Sequence, residues 1–533
     1  MASRFFLKTW PWLRRNRLKT TDRQGFVVPM VAFLFFILSG ICFGLIILVQ
    51  TQIKISKYRK YSLLIEYAAE NGAKRGFHQL YSLVSGKPGL TSIDDSFLAG
   101  LREEPDLALS LLVDSLNDSG IPLETKESEG DFEWRSATLF SLRNIEDYQA
   151  YLRITADFDI QAKGKMASLP QEKEAVLSGY IEFLAGRIPL SSIPLAIRKT
   201  MTDSELTGFM AENRIAVLDQ PEQTAGPRPV AASEGILPAD ASGLLAQALG
   251  IKLFRPQDIS PAKLRELLGL EPSTEPLPEG IYPIADDIGF NGLFVQGDID
   301  ELIPAIDGED QVVLFRMESD EWLLRFSPSS GWSELAGPGG TETFESVFGG
   351  FIIVNGDISS FGGGYVTPDG KIKKAEDQDI PSILNGARLT IICSEKVEIS
   401  SHLILQGVQW KDGFPYLKSS QSQLVIFSTG TDIVTGEKRD SVISVSGDGD
   451  RPAEIKIQAS ITAVNGIFEI KGTDQQVQIA GGLHVSEFIG NGNSLAIAAD
   501  SRLSPVGPEM GVPLTDSGFL TVFAFRPTCW KEQ

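Results

Sequence analysis

Two aspartates occupy matching places in a short internal repeat and are the first candidates for chemistry. Asp298 belongs to FVQGDI (294–299) and Asp357 belongs to IVNGDI (353–358). On adjacent coils of a β-helix they would stack on one face, where paired carboxyl groups can act as acid and base on a polysaccharide. An Asp that follows Gly also commonly accepts hydrogen bonds from the backbone amides of a turn. We favour that structural role and assign no catalytic residue.

No other spacing supports an enzyme or a resident metal. The chain has no HExxH, CxxC or GxSxG pattern. Calcium is the one cofactor left open, because Asp448 and Asp450 lie two apart in the Gly-rich stretch SGDGD. Residues 286–287 and 307–310 are also oxygen-rich, but none of these segments has EF-hand spacing, so solvated turns are favoured. Three histidines occur without a grouped nucleophile: His78, His402 and His484.

The cysteines leave one covalent question open. Cys42 lies in an apolar segment, whereas Cys393 and Cys529 lie far apart in the remainder of the chain. In an oxidising compartment two such thiols could pair, but a sequence does not show whether they are close in space. A Cys393–Cys529 disulfide and two separate thiols are both compatible with the sequence.

An uninterrupted apolar segment, FVVPMVAFLFFILSGICFGLIILV (26–49), contains no charged residue. As a helix it is long enough to cross about 30 Å of hydrocarbon. Its N-terminal flank is more basic than its C-terminal flank, which predicts a cytoplasmic N-terminus. The length of the segment and the lack of a small-x-small cleavage site favour a retained single-pass helix over a cleaved secretory signal. The bulk of the chain would then be periplasmic or extracellular.

The basic leader ends in Gly25-Phe26, directly before this apolar segment. A basic leader that closes on Gly and Phe before a long apolar helix resembles the processing site of type IV prepilins. That resemblance implies cleavage between Gly25 and Phe26 by a membrane peptidase. The Glu usual five residues after the cut is replaced by Met30, and the leader is long. The resemblance is therefore to accessory, minor pilin-like proteins, and a Gly that merely precedes a membrane helix is the alternative.

The segment after the apolar run carries small residues along one helical face. Ala68, Ala69, Gly72 and Gly76 recur at three- and four-residue spacing. The phrase EYAAENGAKRGF (66–77) is similar to a stretch that follows the membrane helix in PilX-like proteins. We expect the membrane helix to continue as an amphipathic helix, whose small-residue face is open to a partner helix or packs on the chain's own domain.

Charge is distributed unevenly along the chain. The formal net charge is −21, but residues 1–60 hold eleven basic residues and one acidic residue, so that part carries +10 and the remainder −31. A basic stem suits anionic lipid headgroups, which makes membrane lipid an expected partner. An acidic remainder argues against nucleic acid, whose phosphates need clustered Lys and Arg.

The rest of the chain is predicted to be mostly β. Residues 85–218 read as an α+β region, and from about residue 281 short apolar runs end repeatedly at Gly, Asn and Asp, which is typical of a β-solenoid or β-helix. A β-sandwich is the alternative. The predicted organisation is a basic leader (1–25), a membrane and juxtamembrane helix (26–84), the α+β region (85–218), a Pro-rich linker with two short helices (219–280) and a β-rich repeat domain (281–533).

Taken together, the stem, the GRIPLSSIPL phrase (186–195) and the two GDI repeats resemble PilX-type pilus-assembly proteins with a large β-helical ectodomain. The resemblance implies a non-enzymatic component of a type IV pilus or type II secretion system in the bacterial inner membrane, with pilin-like or secretion-system proteins as partners. A membrane-anchored carbohydrate-active envelope enzyme is the first alternative. A structural cell-envelope protein is the second.

Overall fold

The computed structural model describes the chain from residue 27 onward, with internal gaps. The described residues are 27–85, 91–93, 95–103, 124–129, 131–147, 151–166, 171–188, 190, 193–218, 230–232, 236–238, 240–251, 254, 260–285, 289–375, 379–411, 414–417, 421–446, 454–499, 513–516 and 518–532. One long apolar N-terminal helix is followed by a mostly β region, as the sequence predicts at this level.

The N-terminal helix α1 runs from Val27 to Ser85 without interruption, for 59 residues. At 1.5 Å per residue it is about 90 Å long. Its first half carries exposed apolar side chains, from Val28 to Val49, and makes no buried contact with the rest of the chain. Within the described residues it is the one helix long and apolar enough to cross a membrane. The helix is thus compatible with a single-pass membrane anchor.

The second half of α1 packs on an antiparallel sheet, the stem sheet. Its strand order is β1–β30–β5–β4–β3–β2. These strands are β1 (Thr91–Ile93), β2 (Glu124–Glu129), β3 (Phe132–Asp147), β4 (Tyr151–Met166), β5 (Glu172–Gly186) and β30 (Gly518–Glu532). A short helix, α2 (Asp95–Glu103), is held to β3 by Arg102, which donates to both carboxylate oxygens of Asp147.

Side chains of β4 alternate between the two faces of the stem sheet, and one of these faces is buried. Leu152, Ile154 and Ala156 are all at most 1% exposed, and they point to the same side because successive strand residues alternate between faces. The sequence predicted this face correctly. Leu80 of α1 and Leu101 of α2 complete the same core cluster, so the helices and the sheet share one interior.

Most of the remaining strands stack in three columns, and within a column each strand pairs in parallel with the next. The first column contains β10 (Phe290–Gln296), β16 (Phe351–Asn355), β20 (Arg388–Cys393), β24 (Gln423–Ser428), β27 (Ser460–Ile470), β28 (Gln476–Ile489), β6 (Leu195–Ile197) and β8 (Val230–Ala232), in that spatial order. Strand β9 (Gly280–Ala285) pairs antiparallel with β10 at one end.

Of the long strands of the first column, β27 also extends into the second column, and β28 extends into both of the other columns. The second contains β11 (Glu301–Asp307), β17 (Ile358–Phe361), β21 (Lys396–Ile399) and β25 (Val442–Val445), followed by the later parts of β27 and β28. The third contains β26 (Glu454–Ile457), the first part of β28, β29 (Ser494–Ala499) and β7 (Ile215–Leu218). Apolar residues from all three columns meet in one large core cluster.

Two short helices cover the outer face of the first column. Phe294, Ile353, Ile392 and Phe427 lie in register on adjacent strands and are fully buried. They share a core cluster with α4 (Ser242–Ala248) and α5 (Pro261–Leu267), so these two helices, the strap, pack on the column. Both helices were predicted. Ser260 followed by Pro261 predicts an N-cap for the second helix, and this is confirmed because Ser260 Oγ accepts from the Lys263 N–H at 3.2 Å.

Both ends of the columns are covered. Helix α3 (Asp203–Glu212), capped by a reciprocal Thr202–Glu205 capping box, packs Leu206 and Phe209 against the core at one end. At the other end, β11 continues into a meander of β12 (Asp310–Met317), β13 (Asp320–Ser327), β14 (Trp332–Gly337) and β15 (Gly340–Phe344). Two isolated hairpins complete the fold: β18 (Gly364–Val366) with β19 (Ile372–Lys374), and β22 (Val408–Lys411) with β23 (Phe414–Leu417).

The sheets join residues from both sides of the predicted boundaries at 218 and 281. Strands β6, β7 and β8 lie before residue 233 but continue the columns built by the C-terminal half. Strand β30 lies at the C-terminal side but belongs to the stem sheet, where it pairs with β5 and β1. The stem sheet and the columns are therefore linked twice by the chain.

Candidate functional site

The stem is the most exposed apolar feature among the described residues. Its apolar half ends in a stretch that carries Lys54, Lys57, Arg59 and Lys60, all exposed. Basic side chains next to an apolar span suit the headgroup region of a bilayer. The predicted processing residues Gly25 and Phe26 lie outside the described residues.

The predicted helix-contact face lies against the stem sheet of the same chain. Ala68 and Ala69 are 5% and 1% exposed. A Cβ added to Gly72 would lie 3.1 Å from Trp134, and one added to Gly76 would lie 2.8 Å from Ile160. The small side chains therefore let β3 and β4 approach the helix closely. This packing is the alternative that the sequence left open, and it leaves no room on this face for a partner helix.

Gly164 of β4 is the reciprocal half of this contact and was missed from the sequence. A Cβ at Gly164 would lie 2.5 Å from the backbone N of Ala69 and 2.6 Å from the carbonyl O of Ile65. The clash would be with backbone atoms, so a side chain cannot move aside to relieve it. The signal in the sequence was the run of small residues at alternate positions of β4, Ala162 and Gly164.

The two repeat aspartates lie one above the other and bind backbone. Residues 292–296 pair in register with residues 351–355, so the repeats occupy matching strand-to-turn positions, as predicted. Asp298 Oδ1 accepts from the N–H of Asp357 at 2.8 Å, and Asp357 Oδ1 accepts from the N–H of Lys396 at 2.9 Å. These contacts agree with the structural role favoured from the sequence.

The glycines before them differ. Gly297 has φ of +105°, as expected for a turn that favours glycine, but Gly356 is not in the left-handed region. The place of each glycine, between an apolar strand and an Asp, predicts positive φ at both positions, and for Gly356 this prediction is wrong. Glycine is needed there because a Cβ would overlap the Gly297 carbonyl oxygen.

The one carboxyl group of this region with a raised pKa is Glu395, in the turn after β20. Burial raises its pKa, and the nearby carboxylates of Asp357 and Asp298 raise it further, while Arg439 opposes the effect. The Arg439 Nε lies 3.5 Å from a Glu395 carboxylate oxygen. A carboxyl group whose pKa is raised by burial and by neighbouring carboxylates is the kind of group that can act as a general acid in glycoside cleavage.

Two histidines have structural partners. His484 is fully buried, its Nδ1 is 3.0 Å from Thr462 Oγ1, and its Nε2 is 2.8 Å from the carbonyl O of Ile193. Burial lowers the pKa of His484 to about 4, so it is neutral near pH 7. His402 accepts from the backbone N–H of Lys456 through Nδ1 at 3.0 Å. Neither histidine lies beside a described Ser or Cys nucleophile in these contacts.

The oxygen-rich segments considered as metal sites do not form one where the structure describes them. Within the described ranges, no group of three or more His, Cys, Asp and Glu side chains could hold a metal ion. Asp307 and Asp310 both bind Arg325 instead, at 2.6 and 3.1 Å. Asp448, Asp450 and residues 286–287 lie outside the described residues.

The two cysteines that follow the apolar segment are separate thiols. Cys393 is fully buried and its Sγ donates to the Gly356 carbonyl oxygen at 3.0 Å, whereas Cys529 is exposed. Burial raises the pKa of the Cys393 thiol well above its usual range. A Cys393–Cys529 disulfide is absent, which resolves the question that the sequence left open.

Comparison with known proteins adds no relative: no family model, no curated protein and no solved structure matches this chain. The geometry of the chain itself is therefore what indicates its function.

Proposed function

We propose that this protein is a non-enzymatic, membrane-anchored component of the type IV pilus or type II secretion class, of the PilX-like or minor pilin-like kind. The observation that supports this most is α1. Its first half is apolar and bare, and its second half packs on an antiparallel sheet through Ala68, Ala69, Gly72 and Gly76. One continuous helix thus joins an anchor to a folded body, with the N-terminus on the cytoplasmic side.

For the body we propose a β-solenoid. Three columns of parallel strands, a shared apolar interior and covered ends support it. Helix α3 lies at one end and the β12–β15 meander at the other, where they would oppose end-to-end stacking of further copies. Such a body would present a rigid lateral surface for assembly or adhesion.

The test exchanges the stem. In a piliated bacterium that carries the gene, residues 27–49 are replaced by an unrelated apolar helix of equal length. The control is a deletion strain complemented with the wild-type protein. We expect the exchanged protein to reach the membrane but to lose co-purification with pilin-like proteins, with a drop in surface pili. If the exchanged protein still co-purified with pilin-like proteins and supported normal numbers of surface pili, the stem would be a simple anchor and the assembly role would be overturned.

Mass spectrometry of the mature N-terminus tests the processing step. Cleavage should leave Phe26 as the first residue, and Gly25→Val should abolish it. If the wild-type protein keeps Met1 in a strain with a working prepilin peptidase, the protein is an uncleaved PilX-like protein. A C-terminal reporter active only in the cytoplasm would contradict the proposed orientation.

A carbohydrate-active enzyme is the second candidate, and Glu395 is the observation that favours it. A raised pKa suits Glu395 to the role of a general acid beside Asp357. However, the carboxylates of Asp298 and Asp357 each already accept a hydrogen bond from a backbone N–H group. Turnover of an envelope polysaccharide by the purified protein, abolished in Glu395→Gln, would establish this function. We expect no turnover.

A further inference from the structure

A cavity of about 330 Å³ lies where the stem sheet, the strap and the first column meet. Its residues come from the end of β5, the start of α4, strand β24 and the segment before β30. Small-molecule sites commonly lie at junctions between structural units and have volumes of roughly 300–1,000 Å³. The cavity lining includes Arg187, Asp240, Gly243, Leu244, Phe427 and Asp516.

The floor of the cavity is apolar. Leu244 and Phe427 are 6% and 0% exposed, and Pro513 is buried. Leu244 and Phe427 belong to the core cluster beneath the strap, so the floor is held by packing that does not depend on a ligand. This part of the cavity suits an aliphatic or aromatic group.

The rim carries both signs of charge. The Arg187 Nη2 lies 3.7 Å from Asp516 Oδ1, and Arg187 Nε donates to the Thr515 carbonyl at 3.3 Å. A guanidinium has five N–H donors, so these contacts leave donors for a further acceptor. Asp240 Oδ1 accepts from the Ser242 N–H at 2.8 Å, and a carboxylate has a second oxygen that can accept a further hydrogen bond.

We propose that this cavity binds a small zwitterion with an apolar side chain, of the class of free hydrophobic α-amino acids. Arg187 binds the carboxylate, because guanidinium and carboxylate groups form paired hydrogen bonds. Asp240 and Asp516 bind the ammonium group, and the side chain lies on Leu244 and Pro513. The proposal goes beyond the pilus role and does not depend on it.

The binding test uses the full-length chain in detergent, with L-leucine as the probe and calorimetry as the readout. Blocked forms are the comparison: N-acetyl-leucine removes the positive charge and leucine amide removes the negative charge. We expect saturable binding of leucine and at least about tenfold weaker binding of each blocked form, which corresponds to about 1.4 kcal/mol for each lost charge. Equal binding of the blocked forms, or preferential binding of a neutral sugar, would overturn the zwitterion assignment.

Glycine variants test the location. Gly243 lies in α4 and lines the cavity, and a Cβ there meets nothing within 4 Å, so the backbone accommodates the Cβ of Gly243→Leu. Gly208 in α3 is the matched control, since its Cβ also meets nothing within 4 Å. We expect G243L to abolish leucine binding and G208L to keep it, with both variants as stable as the wild type.

Arg187→Gln gives a second, independent measurement. It should weaken leucine binding at least about tenfold while leaving the already weak binding of leucine amide unchanged, because the amide has no carboxylate. Leucine binding that survives in G243L, or an equal loss for both ligands in R187Q, would rule out this cavity or this mode of recognition.

Discussion

The carboxylate of Asp298 accepts a hydrogen bond from the backbone N–H of Asp357, with 2.8 Å between Oδ1 and N. Each of these aspartates begins the turn after its own strand, so one turn binds the next turn in the column. The repeated GDI phrase therefore marks the same turn after two adjacent strands of the first column.

Replacement of Asp298 by Ala should reduce the free energy of unfolding by about 1–2 kcal/mol, because the Asp357 N–H loses its acceptor. Asp298→Asn retains a carbonyl oxygen at the same position and should cost less. Urea denaturation monitored by circular dichroism measures both. Equal stability of the Ala variant and the wild type would contradict the structural role.

Gly356→Ala should destabilise the protein by about 1–3 kcal/mol, because the new Cβ would overlap the Gly297 carbonyl oxygen. Gly339 is the matched control, since its Cβ meets nothing within 4 Å. Thermal unfolding should thus separate G356A from G339A. A control as damaging as the test variant would show that the effect comes from loss of glycine itself rather than from crowding.

Gly164→Ala should separate the stem helix from its sheet, because the methyl group would meet the backbone of Ile65 and Ala69. We expect a loss of about 1–3 kcal/mol and faster protease cleavage within the second half of α1. Gly100→Ala in α2, where a Cβ meets nothing within 4 Å, is the control. Unchanged proteolysis of G164A would mean that the helix is held by other contacts.

His484 should make the protein acid-sensitive. Its pKa is about 4 in the folded state and about 6.5 in the unfolded chain, so the unfolded state binds the proton more strongly. This contribution to stability is present above pH 6.5 and is lost progressively as the pH falls toward 4, by about 3 kcal/mol in total.

The measurement is the urea midpoint of wild type and His484→Gln between pH 7.5 and 4. A Gln side chain can keep a hydrogen bond in the buried site but does not titrate. The variant should therefore lose less stability on acidification than the wild type. Parallel pH profiles would assign the acid sensitivity to other groups.

Local signals were sufficient for several elements of the fold. The uncharged run 26–49 predicted the exposed half of α1, and Ser260 followed by Pro261 predicted a capped helix that the structure contains. The likeness of the two GDI phrases predicted the register of β10 on β16. Each of these predictions depends on neighbouring residues or on an exact repeat.

Long-range pairing was not predictable in the same way. Strand β6 has only three residues, and nothing in them specifies that they pair with β28. The contact between Gly164 and Ala69 likewise depends on which face of β4 meets the helix. The cavity at Arg187 gathers residues from four separate segments, so no single motif marks it.

The place of β30 has a consequence for biosynthesis. Thr528 of β30 binds the backbone of Ser178 in β5, 350 residues earlier in the chain. The stem emerges from the ribosome early, whereas the strand that pairs along the edge of its sheet emerges only after all three columns have been made. Closing so long a loop is a slow, entropically costly step in folding. Until it occurs, β5 has an unpaired edge, so the growing chain exposes a strand that chaperones or a neighbouring chain can bind.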